Sequence, residues 1–145
     1  MGEEEVKRRP GPRVVLDTSV FISAVLFGGL PSRLVSLWQQ DKITLLLSSE
    51  VLKEYLRVLS YPKFRLTRND IRSLIEVEVI PYSKPVKIRT RLRIIDRDPS
   101  DNKFLELAVD GTADTIVSSD RHLLQLVAYE GIEIISVAEF LKRLK

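Results

Sequence analysis

The chain of 145 residues alternates short apolar runs with stretches in which apolar residues recur at helical spacing. The short runs predict buried strands, because the strands of a parallel sheet are covered on both faces and lack polar alternation. Five such runs occur, at residues 13–16, 43–47, 79–82, 115–118 and 132–135. Seven helices are predicted around them, at residues 21–26, 31–40, 51–59, 67–77, 99–110, 123–130 and 137–144, and Gly131 ends the sixth.

Residues that favour helix caps stand at several of the predicted helix starts, and the candidates are Ser48 or Ser49, Asn69 or Thr67, and Asp98. Strands alternate with helices throughout. The predicted fold is therefore α/β, a Rossmann-like parallel sheet of about five strands covered by helices on both faces. Residues 1–12 are interpreted as a polar tail that ends in a turn, and residues 13–145 as a single domain, which the length allows.

Composition removes several classes of site. The absence of cysteine excludes disulfides, iron–sulfur clusters, thiolate nucleophiles and cysteine-ligated zinc. A single histidine, His122, excludes a site built from several histidines. No apolar run approaches the roughly 18–20 residues that span a bilayer, and no signal-peptide pattern opens the chain, so a cytoplasmic location without a membrane is expected.

Four carboxylates fall where the predicted elements place them near one another. Asp17 closes the first strand, and Asp120 lies two residues past the apolar part of the fourth. The carboxyl ends of parallel strands border the crevice in which such sheets bind ligands. Asp101 lies in the first turn of its helix, and Glu54 lies in the middle of the third helix. Each residue alone also fits a simpler role, as a helix cap, a partner of the helix dipole or a surface glutamate.

The combination of these acids indicates a cation site. Four converging carboxylates would repel one another unless positive charge compensated them. All-oxygen ligands with no histidine or cysteine among them select hard ions such as Mg²⁺ or Mn²⁺. Because Mg²⁺ prefers few protein carboxylates together with substrate phosphates, the pattern favours phosphodiester chemistry.

A basic stretch lies between residues 84 and 97, with six lysines and arginines against one acid. Its apolar residues alternate with the basic positions Lys87, Arg89, Arg91 and Arg93, which predicts an extended segment with one basic face. This face could follow an RNA backbone or protect an exposed sheet edge, and the pattern leaves both open.

Two residues next to Asp120 have further candidate roles. Arg121 could contact phosphate, although a solvated arginine fits equally well. For His122, a half-exposed position on a helix is favoured over a role in phosphate contact or proton transfer.

Four blocks of the sequence, in order, resemble the PIN domain family. They are residues 15–24 around Asp17, residues 54–59 beginning with Glu54, residues 98–108 around Asp101, and residues 113–120 ending with Asp120. Within this family, the four blocks most resemble the toxins of toxin–antitoxin pairs, the VapC-like ribonucleases. One departure is Ser100, where this subgroup often has another aspartate.

The resemblance implies a Mg²⁺- or Mn²⁺-dependent ribonuclease, often homodimeric, with RNA as substrate and a cognate antitoxin as a possible partner. By position, Asp17, Glu54, Asp101 and Asp120 become the catalytic residues and metal ligands, and Ser19 and Ser118 become polar supports. Thr18 is a further candidate support, although a cap or turn hydroxyl fits each of these positions as well. The alternative is a non-catalytic PIN-like module that binds RNA or acts as a scaffold.

Several large apolar residues could form the core or a surface for a dimer or an antitoxin, namely Phe21, Phe27, Leu30, Trp38 and Tyr55. Helical spacing favours the core. Phe27 and Leu30 flank a glycine pair and are the two for which exposure is expected.

Overall fold

A computed structural model describes residues 11–92 and 101–144 of the chain. Its strands are β1 (Arg13–Leu16), β2 (Thr44–Leu47), β3 (Ser83–Pro85), β4 (Thr115–Val117), β5 (Ala128–Tyr129) and β6 (Ile132–Ile135). They form one six-stranded sheet in the order β3-β2-β1-β4-β6-β5. Only the β5–β6 pair is antiparallel among these strands.

Helices flank this sheet, as predicted for the α/β class. They are α1 (Thr18–Leu26), α2 (Arg33–Gln39), α3 (Ser49–Leu59), α4 (Arg68–Ser73), α5 (Asn102–Asp110), α6 (Arg121–Leu124) and α7 (Val137–Arg143). The fold class expected from the sequence is therefore confirmed, with one strand more than expected. By length and composition, no single helix of the described residues could cross a membrane. Thr18–Leu26 and Leu30–Gln39 pass that test only as a pair, with an 86° bend between them.

Three aromatic side chains at the centre of the core fix the first three helices together. The rings of Phe21 and Tyr55 stack with centroids 3.9 Å apart and planes 3° apart, and Trp38 lies 6.4 Å from Phe21. All three residues are fully buried. Phe27 and Leu30, by contrast, are 52% and 40% exposed, so the division expected from their spacing is confirmed.

Most predicted helix starts agree with the structure. Ser48 accepts a hydrogen bond from the Val51 N–H and caps α3. Thr67 and Asp70 form a reciprocal capping box at the start of α4, whose chain then continues as a π-helix over Leu74–Val79. Asp98, the expected cap of the fifth helix, lies outside the described residues, as do Pro99 and Ser100.

The predicted third strand at 79–82 is wrong. The chain there forms a 3₁₀ turn over Ile80–Tyr82, and β3 begins only at Ser83. Pro81 lies in the first turn of this helical segment, where its fixed φ suits a helix and its missing N–H would leave a gap in a sheet ladder.

The predicted helix at 123–130 is also wrong in length, because α6 ends at Leu124. Val127 adopts a φ of 63° and is 69% exposed, and β5 follows it. Glu130 and Gly131, with φ values of 49° and 82°, form the tight turn that folds β5 back onto β6. This hairpin is the strand pairing that the helical spacing of the apolar residues concealed.

Candidate metal centre

The order of the strands places a crevice between β1 and β4. From β1 the chain winds outward to β2 and β3 on one side, while β4 and β6 lie on the other. Ligands of open α/β sheets bind at such a reversal, outside the carboxyl ends of the strands. Asp17 follows β1 directly, and Asp120 lies three residues after β4.

Asp17 is held by hydrogen bonds to both of its carboxylate oxygens. Oδ1 accepts the Val20 N–H at 2.8 Å and so caps α1, while Oδ2 accepts the Ser118 hydroxyl and the Ser119 N–H. Burial raises the pKa of Asp17 above its ordinary value, and the hydrogen bond from Ser118 opposes this most strongly. A buried carboxylate whose ionised form is disfavoured would be stabilised by a cation placed beside it.

Asp120 caps α6 and is tied to Asp17 through one residue. Its Oδ1 accepts the N–H groups of His122 and Leu123 at 2.7 and 3.3 Å. The N–H of Asp120 in turn donates to the Ser118 hydroxyl at 2.8 Å. Ser118 is 1% exposed, so it supports the site from behind rather than from within the crevice.

Three side chains are close enough to share one ion. Asp101, Asp120 and His122 each offer a ligand atom, and these atoms lie within 4.8 Å of one another. Asp101 is buried at the N-cap position of α5, and His122 Nδ1 lies 4.0 Å from Asp120 Oδ1. Carboxylates suit Mg²⁺ and Mn²⁺, and an added imidazole suits the softer divalent ions. This donor set therefore fits a divalent cation.

Glu54 is neutralised by protein groups. It forms an ion pair with Lys103 and accepts the hydroxyl of Thr18, and Arg57 Nη2 lies 3.8 Å from its Oε1. Helix α3 buries Val51, Tyr55 and Leu59, which leaves Glu54 on the side that faces the crevice.

Tyr55 anchors that helix to β1. Its hydroxyl donates to the Leu16 carbonyl, one residue before Asp17. Burial raises the pKa of Tyr55 well above its ordinary value, with further contributions from the charges of Asp17 and Glu54. The phenol therefore remains a neutral donor.

Most of the predicted site residues line one cavity of about 990 Å³. All four predicted acids line it, together with two of the predicted supports, and these residues are Asp17, Thr18, Ser19, Glu54, Asp101 and Asp120. Of the four acids, only Asp101 and Asp120 belong to the group within 4.8 Å.

Sequence reasoning gave no site role to Lys103 and Arg57. Arg57 carried a signal, since it follows Glu54 by three positions on a helix, where side chains are neighbours. Lys103 carried none, because its partner Glu54 is 49 residues away. His122 is half-exposed on a helix as expected, yet it also reaches the acids.

Over residues 86–92 the basic segment belongs to no helix or strand, and the exposure of its side chains alternates as the predicted basic face requires. Lys87, Arg89 and Arg91 are exposed, and the residues between them are half-buried. Arg91 forms ion pairs with Glu50 at 2.8 Å and Glu106 at 3.2 Å. Arg93 lies outside the described residues.

Both interpretations of the basic segment find a feature that suits them. Strand β3 lies at the edge of the sheet and carries Lys84 and Pro85, residues that protect such edges. A second cavity of about 390 Å³ is lined by Arg13, Lys84, Lys87 and Arg89, which suits an anion. Arg121 is exposed at the first residue of α6, beside the candidate centre.

Comparison with known proteins gives the class. A family model described as PIN domain matches residues 13–122, which is most of the chain. The protein therefore belongs to the PIN domain family.

Two individual proteins are similar to this chain. Over 116 residues the chain is 31% identical to the uncharacterized protein MJ1680 of Methanocaldococcus jannaschii, covering 79% of this chain and 74% of that protein. The fold of this chain is similar to the crystal structure of PAE2754 from Pyrobaculum aerophilum. The TM-score is 0.59 and the identity 19%, with 92% of this chain and 89% of that chain covered.

Proposed function

We propose that this protein is a Mg²⁺- or Mn²⁺-dependent endoribonuclease that hydrolyses phosphodiester bonds of single-stranded or structured RNA. One observation carries the proposal. Asp101, Asp120 and His122 offer ligand atoms within 4.8 Å of one another, and the two aspartates line a cavity that Asp17 and Glu54 also line. Membership of the PIN domain family supports the same activity.

Some residues of the site would bind the cation, and others fix the orientation of a carboxylate. When bound, a divalent cation would neutralise the scissile phosphate and acidify an attacking water. Asp101 and Asp120 would hold that cation, with His122 as a neighbour. Ser118 and the Ser119 N–H keep Asp17 in one orientation. Water attacking in line with the 3′ oxygen would leave a 5′-phosphate and a 3′-hydroxyl.

Cleavage of a mixed RNA pool tests the activity. The wild-type protein is incubated with Mn²⁺ or Mg²⁺, with EDTA, and beside the Asp101→Asn variant. Asp41→Asn is the matched control, because Asp41 is exposed and its φ of 58° is one that asparagine tolerates. We expect metal-dependent cleavage in the wild type and the control and none in Asp101→Asn, with 5′-phosphate ends on the products. Cleavage that persists in EDTA or in Asp101→Asn would contradict the proposal.

The same experiment separates the enzyme from the alternative. A non-catalytic PIN-like module would bind RNA or another partner and leave the RNA intact at every metal concentration. Such a result, with folded protein and bound RNA, would replace the enzymatic proposal.

We also propose that the ribonuclease is the toxin of a toxin–antitoxin pair, acting in the cytoplasm as a homodimer opposed by a cognate antitoxin. The support is the resemblance of the sequence blocks to VapC-like toxins. Induced expression in a bacterial host should arrest growth with the wild type and not with Asp101→Asn, and sedimentation should give the mass of two chains. Normal growth with a nuclease that is active in vitro would remove the toxin role alone.

The basic segment supplies a proposed path for RNA outside the centre. Lys87 and Arg89 point outward, because Asp110 holds the backbone of this segment against α5. Charge reversal at Lys87 and Arg89 should weaken RNA binding. It should also reduce the slope of log affinity against log salt concentration by the amount expected for the loss of about two phosphate contacts. Unchanged affinity and salt slope would exclude the path. Arg91 is left intact in this test, because its two ion pairs give it a structural role.

A further inference from the structure

The cavity that holds the acids continues into an apolar and aromatic end. Beyond the carboxylates its wall includes the aliphatic side chains of Ile22, Leu26, Val58 and Leu66 and the rings of Phe27 and Phe64, while the buried Phe104 also lines the cavity. The described residues thus enclose an acidic end and an apolar end in one space. A ligand at the acids would meet the rings with the next part of its structure.

Phe27 is the exposed member of this wall. It is the C-cap residue of α1 and remains 52% exposed, although its ring lies 6.1 Å from that of Phe64 at an angle of 53°. A flat partner could cover much of the exposed face of this ring. Such stacking is favourable because it removes further apolar surface from water.

Two cations, Lys63 and Arg57, line the same cavity. Lys63 Nζ lies 5.2 Å from the centroid of Phe64. Arg57 donates from Nη1 to the Tyr61 hydroxyl at 2.6 Å, and its Nη2 lies 3.8 Å from Glu54. Lys63 therefore lies against the aromatic end, and Arg57 lies beside the acids. An apolar protein partner would cover both cations without matching their charge, whereas a phosphodiester chain would match it.

We propose that the Phe27–Phe64 end of the cavity is a nucleobase subsite. It takes one unpaired base stacked on Phe27, while Lys63 and Arg57 contact the phosphates on either side. Stacking on aromatic side chains requires a base whose face is free, so the subsite selects single-stranded over paired RNA. This inference rests on the proposed function for its substrate and adds the feature of RNA that the site recognises.

Binding without metal tests the subsite separately from catalysis. The probes are fluorescent hexauridylate, a ribose-phosphate hexamer of equal charge without bases, and an RNA hairpin with a short tetraloop. Anisotropy is measured in EDTA at low salt, so absence of cleavage leaves the result readable. We expect the hexauridylate to bind the wild type at least about fivefold more tightly than the abasic hexamer or the hairpin.

Substitutions then assign the preference to the rings. Phe27→Leu should remove the preference for the base-bearing probe and leave abasic binding unchanged, while Phe27→Trp should retain it. Tyr82→Leu is the matched control, because Tyr82 is 40% exposed and lies outside the cavity wall. Lys63→Gln should lower the salt slope for both hexamers by about one contact.

Three results would overturn the subsite. Equal affinity of the wild type for base-bearing and abasic hexamers would remove the stacked base. Equal weakening of both probes by Phe27→Leu would show a general effect on the surface. A wild-type dimer that Phe27→Leu dissociates, with no change in base preference, would show that a second copy of the chain covers this face.

Discussion

Ser118 donates its hydroxyl hydrogen to Asp17 Oδ2, although 101 residues separate them in the sequence. The hydroxyl oxygen of Ser118 in turn accepts the N–H of Asp120. One buried hydroxyl therefore sets the positions of two carboxylates that follow neighbouring strands, and it relates the two halves of the candidate centre to each other.

Replacement of Ser118 by alanine should loosen the centre without removing a ligand. Asp17 loses the hydrogen bond that most strongly opposes the rise of its pKa, so its ionised form becomes less favourable. Loss of such a support typically costs about 10- to 100-fold in metal affinity or activity. Ser119→Ala is the control, because Ser119 contacts Asp17 through its backbone N–H. Metal titration and RNA cleavage equal in both variants would contradict this role.

Lys103 should oppose metal binding and assist substrate binding. Its ammonium group pairs with Glu54 and places positive charge where a cation would otherwise be attracted. We expect Lys103→Gln to bind Mn²⁺ more tightly and to cleave RNA with a higher KM. Lys53→Gln, an equal change of charge at an exposed position of α3, the helix that carries Glu54, should show neither effect. Weaker Mn²⁺ binding by Lys103→Gln would count against this account.

Tyr55→Phe should lower the free energy of unfolding while preserving the aromatic stack. The substitution leaves the buried carbonyl of Leu16 without its donor, which typically costs about 1–3 kcal/mol. Urea unfolding measures this loss, and Tyr82→Phe, at a 40% exposed position, should show almost none. Equal stability of Tyr55→Phe and the wild type would show that the hydroxyl does not anchor α3 to β1.

Asp110 should make the stability of the protein depend on pH in the acid range, through its hydrogen bonds to the basic segment. The Thr90 hydroxyl, followed by the N–H groups of Thr90 and Arg89, holds the pKa of this carboxyl below its ordinary value of 3.8. Because the folded pKa is the lower one, the stabilisation is present above pH 3.8 and is lost as the pH falls through the folded pKa.

The measurement compares urea unfolding of the wild type and Asp110→Asn as a function of pH. The wild type should be the more stable protein near neutral pH, and the difference should shrink towards about pH 2. Asp110 is only partly buried, so the difference should stay below about 1 kcal/mol. A difference that grows as the pH falls would contradict the sign of this linkage.

The sequence predicted the parallel sheet because buried strands leave continuous apolar runs, and it placed Asp17 and Asp120 correctly at the carboxyl edge of that sheet. It could not predict the β5–β6 hairpin, because Leu123, Leu124 and Val127 have helical spacing, which does not show that Glu130 and Gly131 adopt the left-handed φ values of the turn.

Contacts between distant side chains were equally hidden. The Lys103–Glu54 ion pair depends on how α5 packs beside α3, which no local pattern records. The approach of His122 to Asp101 has the same origin, since α6 is only four residues long and its direction is set by the cap at Asp120.

An anomalous difference map from crystals soaked in Mn²⁺ shows directly whether Asp101 and Asp120 bind a divalent cation. We expect a peak in contact with carboxylate oxygens of Asp101 and Asp120, with His122 at its edge. We also expect this peak to be lost in Asp120→Asn. A fully soaked, folded crystal with no peak between Asp101 and Asp120, or with the ion bound elsewhere, would contradict this expectation.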